Sequence, residues 1–168
     1  MRSPAEPSLD DIRRAAQAAA GEVRTTPVVS SRTLGARVGS DVVFKAENLQ
    51  RTGSFKLRGA LAKLASLSAS ECERGVVCAS AGNHAQAVAY AARQRGVACE
   101  VFMPESAPLA KVEASGALGA RVRLIGGSVD EALEAARERA ASGGLAFVHP
   151  FDDPVVIAGQ GSIGLELD

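Results

Sequence analysis

The sequence predicts an α/β fold built on a doubly wound parallel sheet. Three observations predict it. Apolar runs begin at Val76, Val97, Val122 and Leu145, at spacings of 21, 25 and 23 residues. The stretches between them place apolar residues with helical periodicity. The first runs are apolar at consecutive positions, as expected of strands buried on both faces. Buried strands alternating with amphipathic helices form parallel βαβ units.

The elements follow in order. Ser8 precedes Leu9-Asp10-Asp11, a cap residue with an acid three positions on, and opens a helix that Gly21 ends. Thr26-Pro27-Val28-Val29 is extended, since the residue before a proline avoids the helical region. A short helix over 31–38 and a strand over 42–46 follow, then a helix from Lys56 to about residue 67. The regular part has strands at 76–79, 97–103, 121–125 and 145–148, with helices over 83–95, 108–118 and 130–141 between them.

The 168 residues suffice for one domain with a real core, and the formal net charge is zero with both signs interspersed. Nothing here forms a basic face for nucleic acid or an anionic membrane. Five Phe, one Tyr and no Trp do not make a base-stacking platform. Cys72, Cys78 and Cys99 lack metal-ligand spacing and read as three core thiols in a reducing compartment. Residues 1–9 hold no apolar signal core, and no run approaches the ~20 apolar residues of a membrane helix. The expectation is a cytoplasmic protein that acts on small molecules, with no metal site.

Two segments carry chemistry. Thr52-Gly53-Ser54-Phe55-Lys56-Leu57-Arg58-Gly59-Ala60 puts Lys56 where a helix begins. A helix N-terminus disfavours an ammonium, and a lysine whose charge is suppressed is a nucleophile for Schiff-base chemistry. A solvated first-turn lysine fits this segment equally well. In doubly wound sheets ligands bind beyond the carboxyl ends of strands, which singles out Ala79-Ser80-Ala81-Gly82-Asn83-His84-Ala85-Gln86. Its small residues admit a ligand close to the backbone, and the helix start behind it offers N–H groups to a carboxylate or phosphate. Ser80 or Asn83 as a plain helix cap is the competing reading.

These two segments together resemble the threonine dehydratases, which stand with serine racemases and serine dehydratases among the fold-type-II pyridoxal-phosphate enzymes. Phe44-Lys45-Ala46-Glu47-Asn48-Leu49-Gln50, Met103-Pro104, His149-Pro150-Phe151-Asp152-Asp153-Pro154 and Ile157-Ala158-Gly159-Gln160-Gly161 extend the resemblance in order along nearly the whole chain. It implies pyridoxal 5'-phosphate as cofactor. Lys56 then matches the Schiff-base lysine and the base at the substrate α-carbon, and Phe55 the residue packed beside the pyridine ring. Asn83 matches the donor to the cofactor's phenolic oxygen, and Ser80, Ala81, Gly82, Asn83 and His84 the loop for the substrate carboxylate. The implied reaction converts L-threonine to 2-oxobutanoate and ammonia, and L-serine to pyruvate. Racemases of this type carry a serine where this chain has Ala81, so dehydration is favoured over racemisation.

The resemblance also implies an arrangement: 1–74 as the N-terminal part of a large cofactor domain, 75–150 as a small α/β domain, and 151–168 as the return into the large domain. The chain resembles an N-terminal half, with the large domain truncated and no Gly-Gly-Gly-Gly run for the cofactor phosphate. A complementary C-terminal half or a homo-oligomer is the expected partner. A catalytically silent module that only binds a ligand or partner is the alternative. Lys45 reads as structural or near the site rim, His149 as a structural contact, His84 as a support for loop geometry, and Arg58 as either an anion partner or part of a solvated helix face. Gly159-Gln160-Gly161-Ser162-Ile163-Gly164 fits a dinucleotide fingerprint but lacks the acidic residue about 20 positions on.

Overall fold

The computed structural model describes residues 6–167. Residues 1–5, part of the stretch read as lacking a signal core, and Asp168 lie outside it. The chain opens with helix α1 (Leu9–Ala18), whose Ser8 side chain accepts from the Asp11 N–H while the Asp11 carboxylate accepts from the Ser8 N–H. Strand β1 (Val28–Ser30), helix α2 (Arg32–Val38) and strand β2 (Val43–Lys45) follow. β1 and β2 pair antiparallel in a separate two-stranded sheet, with Val29 opposite Phe44. Helix α3 (Lys56–Ser66) comes next.

Helix α4 (Ala69–Arg74) has no counterpart in the periodicity, because six residues are too few to show any. Its signal is local: Ser68 and Glu71 form a reciprocal capping box. The regular part then runs β3 (Val76–Ala79), α5 (Asn83–Gln94), β4 (Cys99–Met103), α6 (Leu109–Ala117), β5 (Arg121–Leu124), α7 (Val129–Gly143) and β6 (Ala146–Phe147). Helix α8 (Pro154–Gly161), capped by the Asp153 carboxylate, follows, and then a 3-10 turn over Gly164–Glu166.

The four strands β3 to β6 make one parallel sheet in the order β5-β4-β3-β6. Alternate residues serve opposite faces, as strand geometry requires. Val76, Cys78, Val101 and Met103 pack against α5 on one side, in one core with α3, which lies on α5. Val77, Ala79 and Phe102 pack against Ala132 and Ala136 of α7 on the other. The sheet is therefore covered on both faces, as the doubly wound reading requires. Cys78 and Cys99 are buried in it, whereas Cys72 on α4 is only partly buried, a correction to the expectation of three core thiols.

In the dinucleotide-like segment, Gly159 and Gly161 serve packing instead. Gly159 lies within α8, not after a strand. A Cβ there would stand 2.5 Å from Gly59 Cα and 2.8 Å from the Arg58 carbonyl oxygen. α3 and α8 thus meet backbone to backbone, and the segment is not a phosphate turn.

Candidate active site

The chain leaves β3 toward β4 on one side and returns from β5 through α7 to β6 on the other. The carboxyl ends of β3 and β6 therefore flank the point where strand order reverses, which is where open α/β sheets bind ligands. The 80–83 loop leaves β3 there, and the 148–153 segment leaves β6 beside it.

Two hydrogen bonds tie side chains to the β6 end. The Lys56 amine donates to the Pro150 carbonyl at 2.7 Å. His84 Nε2 lies 3.0 Å from the Val148 carbonyl oxygen. That oxygen only accepts, so the proton is assigned to Nε2, and buried Nδ1 is left without a partner among the described residues. Burial pushes the His84 ring down to about 4; its bond to Val148 opposes this, and the Lys56 charge adds to it. His84 is thus a neutral imidazole below the loop. His149 turns away, with Nδ1 accepting from the Asp152 N–H at 2.7 Å and its ring edge-on to Phe147 and Phe151.

Lys56 is the first residue of α3, and its side chain is half-buried. Burial lowers the amine below the ordinary lysine value. No carboxylate among the described residues forms an ion pair with it. The solvated reading of Lys56 does not describe this environment. Phe55 is exposed, with its ring centroid 5.3 Å from the Lys56 nitrogen.

In the loop, Ser80 Oγ accepts from the Gly82 N–H at 3.1 Å. Gly82 occupies the N-cap of α5, and no side chain among the described residues caps that helix. The plain capping role of Ser80 and Asn83 is therefore not what the geometry shows. Ala81 and Gly82 are partly buried, and a Cβ built at Gly82 meets only Ser80 Oγ, at 4.0 Å. Asn83 opens α5, exposed, with Oδ1 accepting from the Lys111 ammonium at 3.1 Å. The structure thus sets the loop and the lysine on adjacent strand ends.

Arg58 is not on a solvated face. It is 2% exposed and donates to both oxygens of Glu47 at 2.9 Å and to Glu166 at 2.6 Å. Burial alone would raise the Glu47 carboxyl, but bonds from Arg58 and Thr26 hold it below its ordinary value. Lys45 joins the network through Glu166 and the Thr26 carbonyl. These cations anchor α3 behind Lys56, a role that partners up to 108 positions away keep out of the sequence.

The donor set suits an aldehyde-bearing cofactor. A half-buried amine with lowered basicity can add to the carbonyl carbon, and the Asn83 NH2, without an acceptor among the described residues, can donate to an oxygen. At Gly82 the backbone is open to close approach, since an added Cβ would meet only Ser80 Oγ, at 4.0 Å.

Residues 19–168 match the family described as "Pyridoxal-phosphate dependent enzyme". An L-threonine ammonia-lyase of Thermotoga maritima is 50% identical over 160 residues, 95% of this chain and 40% of that protein. The solved threonine deaminase of tomato, Solanum lycopersicum, in the processed form of its isoform 2, superposes with a TM-score of 0.84 at 38% identity, over 98% of this chain and 47% of its own. Maize serine racemase superposes with a TM-score of 0.90 at 36% identity, over 96% of this chain and 49% of its own. The chain spans roughly half the length of these relatives or less.

Proposed function

Because the chain belongs to the pyridoxal-phosphate dependent enzymes and has their fold-type-II architecture, we propose that its protein eliminates water from L-threonine to an enamine that takes water back on hydrolysis, a net loss of ammonia that gives 2-oxobutanoate, and by the same steps converts L-serine to pyruvate. The observation that carries this is the half-buried Lys56 amine on the end of β6, beside the open β3 loop. The named activity of the 50% identical relative supports threonine as the substrate.

Each residue has a part in this proposal. Lys56 holds the cofactor through its amine and, once released, takes the α-proton of the substrate. Asn83 donates to the cofactor's phenolic oxygen, and Phe55 flanks its ring. Residues 80–84 receive the substrate carboxylate on backbone N–H groups at the start of α5, where the helix dipole favours an anion. Neutral His84 supports that loop from below. The cofactor supplies the electron sink for the α-carbanion. Ala81 has no proton to deliver to the opposite face of that carbon, which favours elimination over racemisation.

The four-stranded sheet and its helices, within 75–150, form the small domain. Residues 1–74 and 151–168 belong to the cofactor domain, which a complementary C-terminal segment completes. Val28, Val29, Val43 and Phe44 are 46%, 46%, 57% and 46% exposed, apolar surface that such a segment would cover. We place the protein in the cytoplasm; among the described residues no helix is long and apolar enough to cross a membrane.

The test uses the complete polypeptide with cofactor. A visible absorption band that Lys56→Ala abolishes, with threonine turnover falling about 10³-fold or more, is the expected result. Absence of a lysine-dependent band sinks the reading in favour of a silent binding module. Serine racemisation with little ammonia release overturns the argument from Ala81.

A further inference from the structure

We propose that Lys111 is a positioning residue for this site: it turns the Asn83 amide so that its NH2 faces the cofactor's phenolic oxygen. The inference rests on the cofactor reading above. Lys111 lies in the first turn of α6, and its ammonium is 3.1 Å from Asn83 Oδ1 and 3.3 Å from Gln86 Oε1. An ammonium only donates, so the chemistry decides which way both amides point: oxygens toward Lys111, amino groups away. Asn83 and Gln86 are three positions apart on one face of α5, so a single cation fixes both.

The location is electrostatically unfavourable for a lysine. It stands in the first turn of its own helix and beside the first residue of α5, where both macrodipoles present positive charge. Among the described residues no ion pair offsets this, and two neutral amide oxygens are its only side-chain partners. What the contact secures is the amide orientation: with Oδ1 occupied, Asn83 offers only donors. A phenolic oxygen that carries negative charge is the acceptor such a group suits.

The full-length holoenzyme tests this through the pH titration of its lysine-dependent visible band, a readout separate from turnover. Removing a donor from the phenolic oxygen makes that oxygen hold its proton more tightly. Lys111→Met should therefore raise the titration midpoint by on the order of one pH unit, the scale of one hydrogen bond or neighbouring charge. Lys111→Arg should restore at least half of that shift. Asn83→Ala should raise the midpoint similarly, and the double variant should move it no further. Should Lys111→Met fail to fold, Lys111→Gln gives the same readout. An unchanged midpoint overturns the proposal, as does a double variant whose shift is the sum of the two singles, since Lys111 would then act without Asn83. A wild-type band that depends on Lys56 but ignores Lys111 defeats this inference alone. No lysine-dependent band in the wild type defeats the cofactor reading and this inference with it.

Discussion

His84 makes the site sensitive to acid through stability rather than through proton transfer. Its ring is held near 4 in the fold against 6.5 in a solvated chain, so between those values the unfolded state binds the extra proton. Stability conferred by the neutral ring is complete above about pH 6.5 and lost as pH falls toward 4, about 3 kcal/mol in all. Urea unfolding across that window should show the decline, and His84→Gln should flatten it. A slope that survives the substitution would assign it to other groups. Glu100 acts lower on the scale: bonds from Arg139 and Arg123 hold it at about 2, so its contribution fades only between 4.5 and 2. The site residues divide at this scale by how local their evidence is. Lys56 and the 80–84 loop stand out because a first-turn lysine and a small-residue turn are anomalies within a few positions. Lys111 carries the same anomaly, a cation in a first turn, but its partner Asn83 is 28 positions away, and only the packing of α6 on α5 joins them.

At the scale of elements, two glycines separate packing from propensity. Gly159 of α8 faces Gly59 of α3, and a Cβ would strike backbone that cannot rotate away. Alanine is the better helix former by about 1 kcal/mol, yet Gly159→Ala should destabilise by about 2 kcal/mol because overpacking wins. Gly116 in α6 has nothing within 4 Å of its would-be Cβ. Gly116→Ala should stabilise by about 0.5–1 kcal/mol. Opposite shifts in thermal unfolding midpoint are expected; shifts of the same sign would refute the contact. The helices and strands themselves are legible because their signals are periodic or sit at caps. The antiparallel pairing of β1 with β2 is not, since register is written in no single strand. The ion network of Arg58, Glu47, Glu166 and Lys45 is equally hidden, because sequence distance conceals which charges meet.

For the whole molecule, strength is unevenly spread. β3 is paired on both sides and buried on both faces, at the centre of the four-stranded sheet. β1 and β2 form an isolated pair of three residues each, mostly exposed. A two-stranded unit has little independent stability. Amide exchange should therefore be slowest in β3 and the facing part of α5, and orders of magnitude faster in β1 and β2. Addition of a complementary segment should protect β1 and β2 selectively; uniform exchange across both sheets would contradict the division into two domains.

The meeting of Gly59 with Gly159 also bears on how this protein can change over generations. Where two side chains touch, a loss on one partner can be answered by a gain on the other, and the pair drifts together. Here neither partner has a side chain to give up. A replacement at one glycine has no compensating replacement at the other, so the two positions should each stay glycine rather than covary. Lys56, three residues before Gly59, rides on the same helix and so takes its place from this contact.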